Sequence, residues 1–393
     1  IFCAYYLQDQ WFEIAADALK ALEDEDATAE EKALVVATVW TPEIAMQDEE
    51  IIERWKLEEV LPNPSPIKPT GVTIQLNGLY TLPESIPEDL PPLLREEARA
   101  VLEHPGEKVA QYDHPVPLFD TEERHELINC LDELDTDLAF EKEKGVLPRK
   151  HTLLVTLSVS VTHAGIDSLC SHWIETLLRE KQYHHLQVLI LNENTIETIK
   201  KRLDGKQFTL YSVFGPYARH FNALKYTQLL LEKGYGIRAG FKLDTDEGIR
   251  SRELYEATGM TWFQTLCHPI WGGSGRDWQG RETGLAVNEG EYINDKDIHR
   301  LGYEGALREP DVKIPSSIIG DDIFFKKSVA HGFATSLYNR FASLDAYISH
   351  PVVKGGGYGI TNDGLRAAVP FTYSRVGRAE DQQFYFTGLT FGI

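Results

Sequence analysis

Cysteine is scarce: four residues in a chain of 393, Cys3, Cys130, Cys170 and Cys267, with no Cys-x-x-Cys spacing. That set builds neither a zinc ribbon nor a disulfide framework, so a reducing compartment, the cytoplasm, is expected. Long apolar runs are lacking as well. No stretch reaches the length needed to span a bilayer, and no secretory pattern opens the chain. Positive charge is short, with 39 Lys and Arg against 61 Asp and Glu and a formal net charge of -22 at pH 7. Nucleic-acid binding needs clustered basic residues to neutralise phosphate, so no nucleic-acid partner is expected, and an anionic ligand has to meet local positive charge or a metal. The glycine-rich stretch Lys354-Gly-Gly-Gly-Tyr-Gly359 lacks the Gly-Lys-Thr/Ser ending of a phosphate loop, which argues against an ATP site. The chain opens on Ile1 and closes on the strand-like stretch 384–393, and both ends are expected to be cut from something longer.

What is present is ordinary globular composition, 42% hydrophobic and 25% charged, in a length that suggests two or three units. Residues 1–60 read as an acidic helical region. Thr28 with Glu31 fits a capping box before the apolar run 33–40, and Thr41-Pro42-Glu43 fits a second helix start. Residues 61–150 open on Pro62, Pro64, Pro66 and Pro69, which forbid helix and indicate a connector. Within that connector 72–76 alternates like a strand, and 92–102 and 122–140 read as helices. The acidic face Asp132, Glu133, Asp135 and Asp137 of the second helix is expected to face water. The stretch 1–150 is a candidate surface for a homo-oligomer or another partner. From 151 to 393 the pattern alternates: strands at 152–161, 186–191, 208–214 and 237–243, with helices at 166–179, from 195, and at 219–231. Such alternation predicts an α/β fold, a mostly parallel sheet with helices on both faces, whose ligands bind beyond the carboxyl ends of the strands.

At one of those ends stands Gly240-Phe-Lys-Leu-Asp-Thr-Asp-Glu-Gly248. Residues two apart on a strand share a face, which puts Asp244 and Asp246 roughly 6–7 Å apart along the backbone. Two such anions indicate either a solvated acidic turn or a hard divalent cation shared with a phosphate. Thr162 and His163 follow the first of these strands, and Asn192 and Glu193 follow the second; both pairs suit a base or ribose, or simply a polar loop. Arg219 and Asn222 stand at the opening of the helix before the acidic strand, where a helix N-terminus and a guanidinium both favour phosphate. Gly320-Asp-Asp322 places Asp321 and Asp322 before the basic Lys326-Lys327, to contact an acceptor or to cap a turn. Glu380 and Asp381 open a helix behind Arg375 and Arg378, offering a carboxylate kept ionised for proton abstraction or a plain helix start.

In that order, Ala-Arg-x-x-Asn, a strand ending Asp-x-Asp, a strand with a basic helix, then Glu-Asp, the chain from about residue 152 onward resembles the nucleotide-sugar glycosyltransferases of the GT-A fold, particularly the family containing many inverting enzymes. The resemblance implies a GT-A-like domain that moves a sugar from a nucleoside-diphosphate sugar, UDP- or GDP-type, to the hydroxyl of a carbohydrate or other acceptor. It implies Asp246 as the main ligand of Mn²⁺ or Mg²⁺, Asp244 near ribose and metal, and Asp381 as catalytic base with Glu380 beside it. Thr162, Glu193 and Arg219 would line the nucleotide pocket.

The sequence departs from that pattern at Glu247-Gly248, where many members carry further acidic or polar residues, and in the long insertion 262–309. Trp271 and Trp278 in that insertion are expected either to stack on acceptor sugars or to pack an ordinary loop. His350 is a candidate late metal ligand. A haloacid-dehalogenase-like phosphotransferase would use Asp244 as nucleophile and Asp246 as acid, with Gly248 where Thr or Val is expected. An inactive GT-A-like scaffold is the third reading.

Overall fold

The structure, a computed structural model, describes residues 28, 58–110, 115–120, 125–202, 211–213, 217–245, 247–276, 280, 282–289 and 357–367. The chain divides into two compact units, and the one made of Val60–Arg276, Arg281–Gly290 and Pro351–Ile393 holds nearly all of these residues. It is an α/β body: a mostly parallel mixed sheet flanked by helices. No helix among the described residues is long and apolar enough to cross a membrane.

The sheet grows from strands whose two faces differ in chemistry. In β2 (Val72–Thr81), Val72, Ile74 and Leu76 alternate with Thr73, Gln75 and Asn77, and all six are buried. In β4 (Leu153–Val161), Leu153, Val155, Leu157 and Val159 alternate with Thr156, Ser158 and Ser160, again all buried. Alternation normally signals one solvated face. Here both faces are covered, one apolar and one polar. Together with β5 (Leu186–Leu191), β6 (Ala239–Leu243), β9 (Val287–Glu289) and β10 (Tyr358–Thr361) these strands take the order β5-β4-β2-β6-β10-β9. The first four run parallel, and β10 runs antiparallel to both β6 and β9. The two-residue β3 (Val116–Pro117) adds to the end of β2. A smaller sheet joins β1 (Glu58–Leu61), β7 (Ser274–Arg276) and β8 (Glu282–Gly284).

The apolar face carries the main core. On it pack α1 (Pro92–Glu103), α2 (Glu126–Glu143) and α3 (Asp167–Lys181) through Leu94, Ala98, Leu131, Leu134, Cys170 and Trp173. The polar face lies under α5 (Tyr217–Tyr235), with α4 (Glu193–Arg202) closing the edge over β5. Three short helices complete the body: α6 (Ser251–Thr258), α7 (Trp262–Leu266) and α8 (Asn362–Ala367). Glu141 staples two of them to α2. Its buried carboxylate accepts from Ser251 Oγ at 2.5 Å, Thr261 Oγ1 at 2.6 Å and Phe263 N at 3.1 Å, and Thr261 also forms the capping box of α7.

The compact unit runs through residue 151, and β2, expected as a strand within the proline-rich connector, lies between β4 and β6. The acidic face of α2 is only partly in water: the Asp132 and Glu133 side chains are 42% exposed, while the others are held by the fold. Asp137 is buried and accepts from Ser251 N at 3.0 Å, Asp135 accepts from His185 N at 2.7 Å, and Asp132 pairs with Lys181. Carboxylates there cap the ends of neighbouring elements. Of the strand expected at 208–214, the described residues 211–213 are not in a strand, and the rest lie outside the described residues, as do the helices expected before residue 58.

Candidate functional site at the carboxyl end of β6

From β2 the chain moves outward to β4 and β5, then returns to the other side of β2 with β6. The reversal leaves a switch point between β2 and β6, and in open α/β sheets a ligand crevice forms there, outside the carboxyl ends. Asp244 is the residue directly after β6. The sequence 244–247 closes a turn in which Glu247 N donates to the Asp244 carbonyl and Asp244 N donates to Glu247 Oε2, both at 3.1 Å.

The polar face leads to this turn. Lys242 lies in β6 in register with Gln75 of β2, and its side chain is 2% exposed. Its ammonium pairs with Asp244 Oδ1, on a carboxylate side chain that is 43% exposed, and lies 5.1 Å from the centre of the Phe221 ring. From α5, Lys225 donates to Gln75 Oε1 at 2.5 Å and sits 4.8 Å from the Tyr358 ring centre. Its partner there is an amide oxygen rather than a carboxylate. Burial, then the charge of Lys242, pushes the Lys225 amine well below the usual lysine range. His220, with Nδ1 3.5 Å from Ser160 Oγ, is driven down to about 3 by burial and by Lys242. Behind them runs a directional chain: Gln75 Nε2 donates to Gln228 Oε1 at 3.0 Å, Gln228 Nε2 to Asn362 Oδ1 at 2.8 Å, and Asn362 Nδ2 to the Ile237 carbonyl at 2.8 Å.

The other expected site residues are engaged in the fold. Thr162, 1% exposed, shares a 2.8 Å hydrogen bond with Thr81 Oγ1 and contacts His163 Nδ1, while its carbonyl accepts from Val109 N and Ala110 N. Glu193 accepts from Ser212 Oγ at 3.0 Å and Val213 N at 3.2 Å, tying the start of α4 to residues 211–213. Asn222 is buried on α5 and Arg219 is half-buried. Trp271, expected either to stack on acceptor sugars or to pack a loop, is a core residue. It is 1% exposed, its Nε1 donates to the Ala286 carbonyl at 3.1 Å, and a methyl on Gly359 would fall 2.7 Å from its ring. Its faces are covered and cannot take a sugar. Asp246, Trp278, Asp321, Asp322, His350, Glu380 and Asp381 lie outside the described residues.

A divalent ion asks for several oxygen ligands. Among the described residues no group of three His, Cys, Asp or Glu could hold a metal, and the Asp244 carboxylate is already committed to the Lys242 ammonium. Of the Asp-x-Asp pair only Asp244 is among the described residues; Asp246, the other carboxylate, is not. A cavity of about 220 Å³ opens at the other end of β6, among Asn63, Arg238, Gly272, Thr361 and Asn362. Its polar walls are paired within the fold, with Asn63 Nδ2 donating to the Trp271 carbonyl and Arg238 Nη1 to the Ser65 carbonyl.

Sequence reasoning passed over Lys242, Lys225, Gln75 and His220. The signal was a lysine inside an otherwise apolar strand, opposite strands that alternate aliphatic with Thr, Ser, Gln and Asn.

Fold and turn together define an α/β protein whose acidic turn closes the fourth parallel strand of the sheet. The chain matches no protein-family model, no curated protein and no solved structure.

Proposed function

We propose that this chain is a glycosyltransferase of GT-A type, which binds a nucleoside-diphosphate sugar beyond the carboxyl ends of β2 and β6 and transfers the sugar to an acceptor hydroxyl with inversion. One observation carries the reading: Asp244, the first carboxylate of Asp-x-Asp, follows β6 at the switch point of an open, mostly parallel sheet. In the reaction the acceptor oxygen bonds to the anomeric carbon as the bond from that carbon to the phosphate oxygen breaks. The acceptor proton passes to the Asp381 carboxylate, and the nucleoside diphosphate leaves with the electron pair. A ligand of that charge is matched by Lys242, built into β6, rather than by a basic surface.

The test is a thermal-shift screen with UDP- and GDP-sugars, followed by an assay for nucleoside diphosphate released in the presence of candidate acceptors. Asp381→Asn is expected to leave nucleotide binding within about threefold while lowering transfer by about 10²–10⁴-fold, the usual contribution of a positioned base. Unchanged transfer in that variant would remove the base assignment. No shift with any nucleotide, together with hydrolysis of a generic phosphate ester, would replace this reading by the phosphotransferase; silence in both assays would leave the scaffold.

A further inference from the structure

The site already holds a cation, and it is part of the strand. Lys242 is anchored on the polar face of β6 beside Gln75, its whole side chain buried and its ammonium paired with Asp244 Oδ1 at the strand end. An ammonium has three N–H donors, and one carboxylate oxygen engages one of them. A charge held in place by a strand needs no reorganisation when an anion arrives, and in a partly water-excluded site its attraction is several times that in bulk water. A divalent ion bound to the same carboxylate would stand within a few ångströms of that ammonium, and like charges so placed disfavour each other.

We propose that Lys242 is the resident counter-ion of this site: its buried charge behind Asp244, rather than a divalent metal at Asp244, offsets the diphosphate of a nucleoside-diphosphate ligand, so that nucleotide binding survives chelation. The proposal rests on the donor-binding reading above and adds which positive group serves it. It also gives Lys242 a task, since a lysine 2% exposed within a five-residue strand whose other members are Ala, Gly, Phe and Leu is otherwise a burden on the fold.

The experiment is titration calorimetry of the full chain with UDP and with GDP, each in Mn²⁺ and in excess EDTA, on the natural sequence and on Lys242→Met and Lys242→Arg. The expected result is a Kd that changes by less than about threefold on chelation in the natural sequence and weakens by about tenfold or more in Lys242→Met. Lys242→Arg, which keeps the charge, is expected to recover part of that loss. Binding that appears in Mn²⁺ and vanishes in EDTA overturns the proposal and leaves the donor-binding reading standing. Unchanged affinity in Lys242→Met overturns it equally. Should Lys242→Met fail to fold, the comparison of Mn²⁺ with EDTA on the natural sequence decides alone. Absence of binding to either nucleotide under both conditions removes the donor-binding reading, and this proposal with it.

Discussion

A methyl group at Gly240 would collide with Gln228 Oε1 and lie 2.6 Å from Gln75 Nε2. The glycine is there because two amides from different elements meet over its Cα, and the strand must leave them room. Gly240→Ala is expected to destabilise the fold by about 1–3 kcal/mol, the usual effect of overpacking a tight core, and to release the Lys225 to Gln75 bond that the same amide holds. Urea denaturation measures the first, and an unchanged midpoint would show that Gln228 yields freely. Residue by residue, the sequence revealed Asp244 because a carboxylate ending an apolar run stands out. The two-residue rule puts Lys242 on the same face as Asp244, but only the register with Gln75 shows that this is the buried polar face. For Trp271 the sequence left stacking and packing both open, because a tryptophan among glycines suits a loop and the close approach of Gly359 that buries it comes from distant chain.

Most elements were legible at their own scale. The strand at 186–191 and the helix after residue 166 follow from β-branched runs and from apolar spacing, which are local properties. The acidic stripe of α2 was the exception, since its partners are contributed by α3 and α6. Asp137 shows the consequence. Burial first, then the neighbouring Glu253 and Glu133, lift its pKa from 3.8 to about 7, against the opposing Ser251 N–H and Arg250. The folded protein thus keeps a proton on Asp137 that the unfolded chain loses near its ordinary value. Stability from this group is present in full below pH 3.8 and is lost as pH rises through about 7. Asp137→Asn keeps an acceptor for Ser251 N and removes the titration. Relative to the natural sequence, the variant should gain about 2–4 kcal/mol between pH 4 and pH 8. Chemical denaturation at the two pH values reads the difference, in which His125 and His220, lowered to about 4 and about 3 by burial, cancel because both proteins carry them. A gap that does not change with pH would place Asp137 in water, as its sequence first suggests.

At the scale of the whole molecule the α/β class was legible, whereas the centre of the sheet was not. The pairing of Ile74 with Val155 on one side and Phe241 on the other joins distant parts of the chain, and a proline-rich approach set β2, legible as a strand, apart from the strands it joins. What that arrangement produces is a sheet with one apolar face and one buried polar face. The second face lowers stability, and Lys225 is where this can be measured. Its amine is pressed below the normal range by burial and by Lys242, so the folded state resists a proton that the unfolded chain takes up readily. Stability attached to this group is therefore present above the unfolded lysine pKa, about 10.4, and is lost as pH falls toward the depressed folded value. Lys225→Met fills the same space without the titration but leaves Gln75 Oε1 without that donor. At pH 9 the two effects oppose each other. At pH 6 the lost titration dominates, and the variant should be more stable relative to the natural sequence by at least about 1 kcal/mol than it is at pH 9. Thermal unfolding at the two pH values provides the comparison. An equal difference at both would mean that Lys225 holds its proton in the fold, and that the polar face carries two charged lysines against the one Asp244 carboxylate.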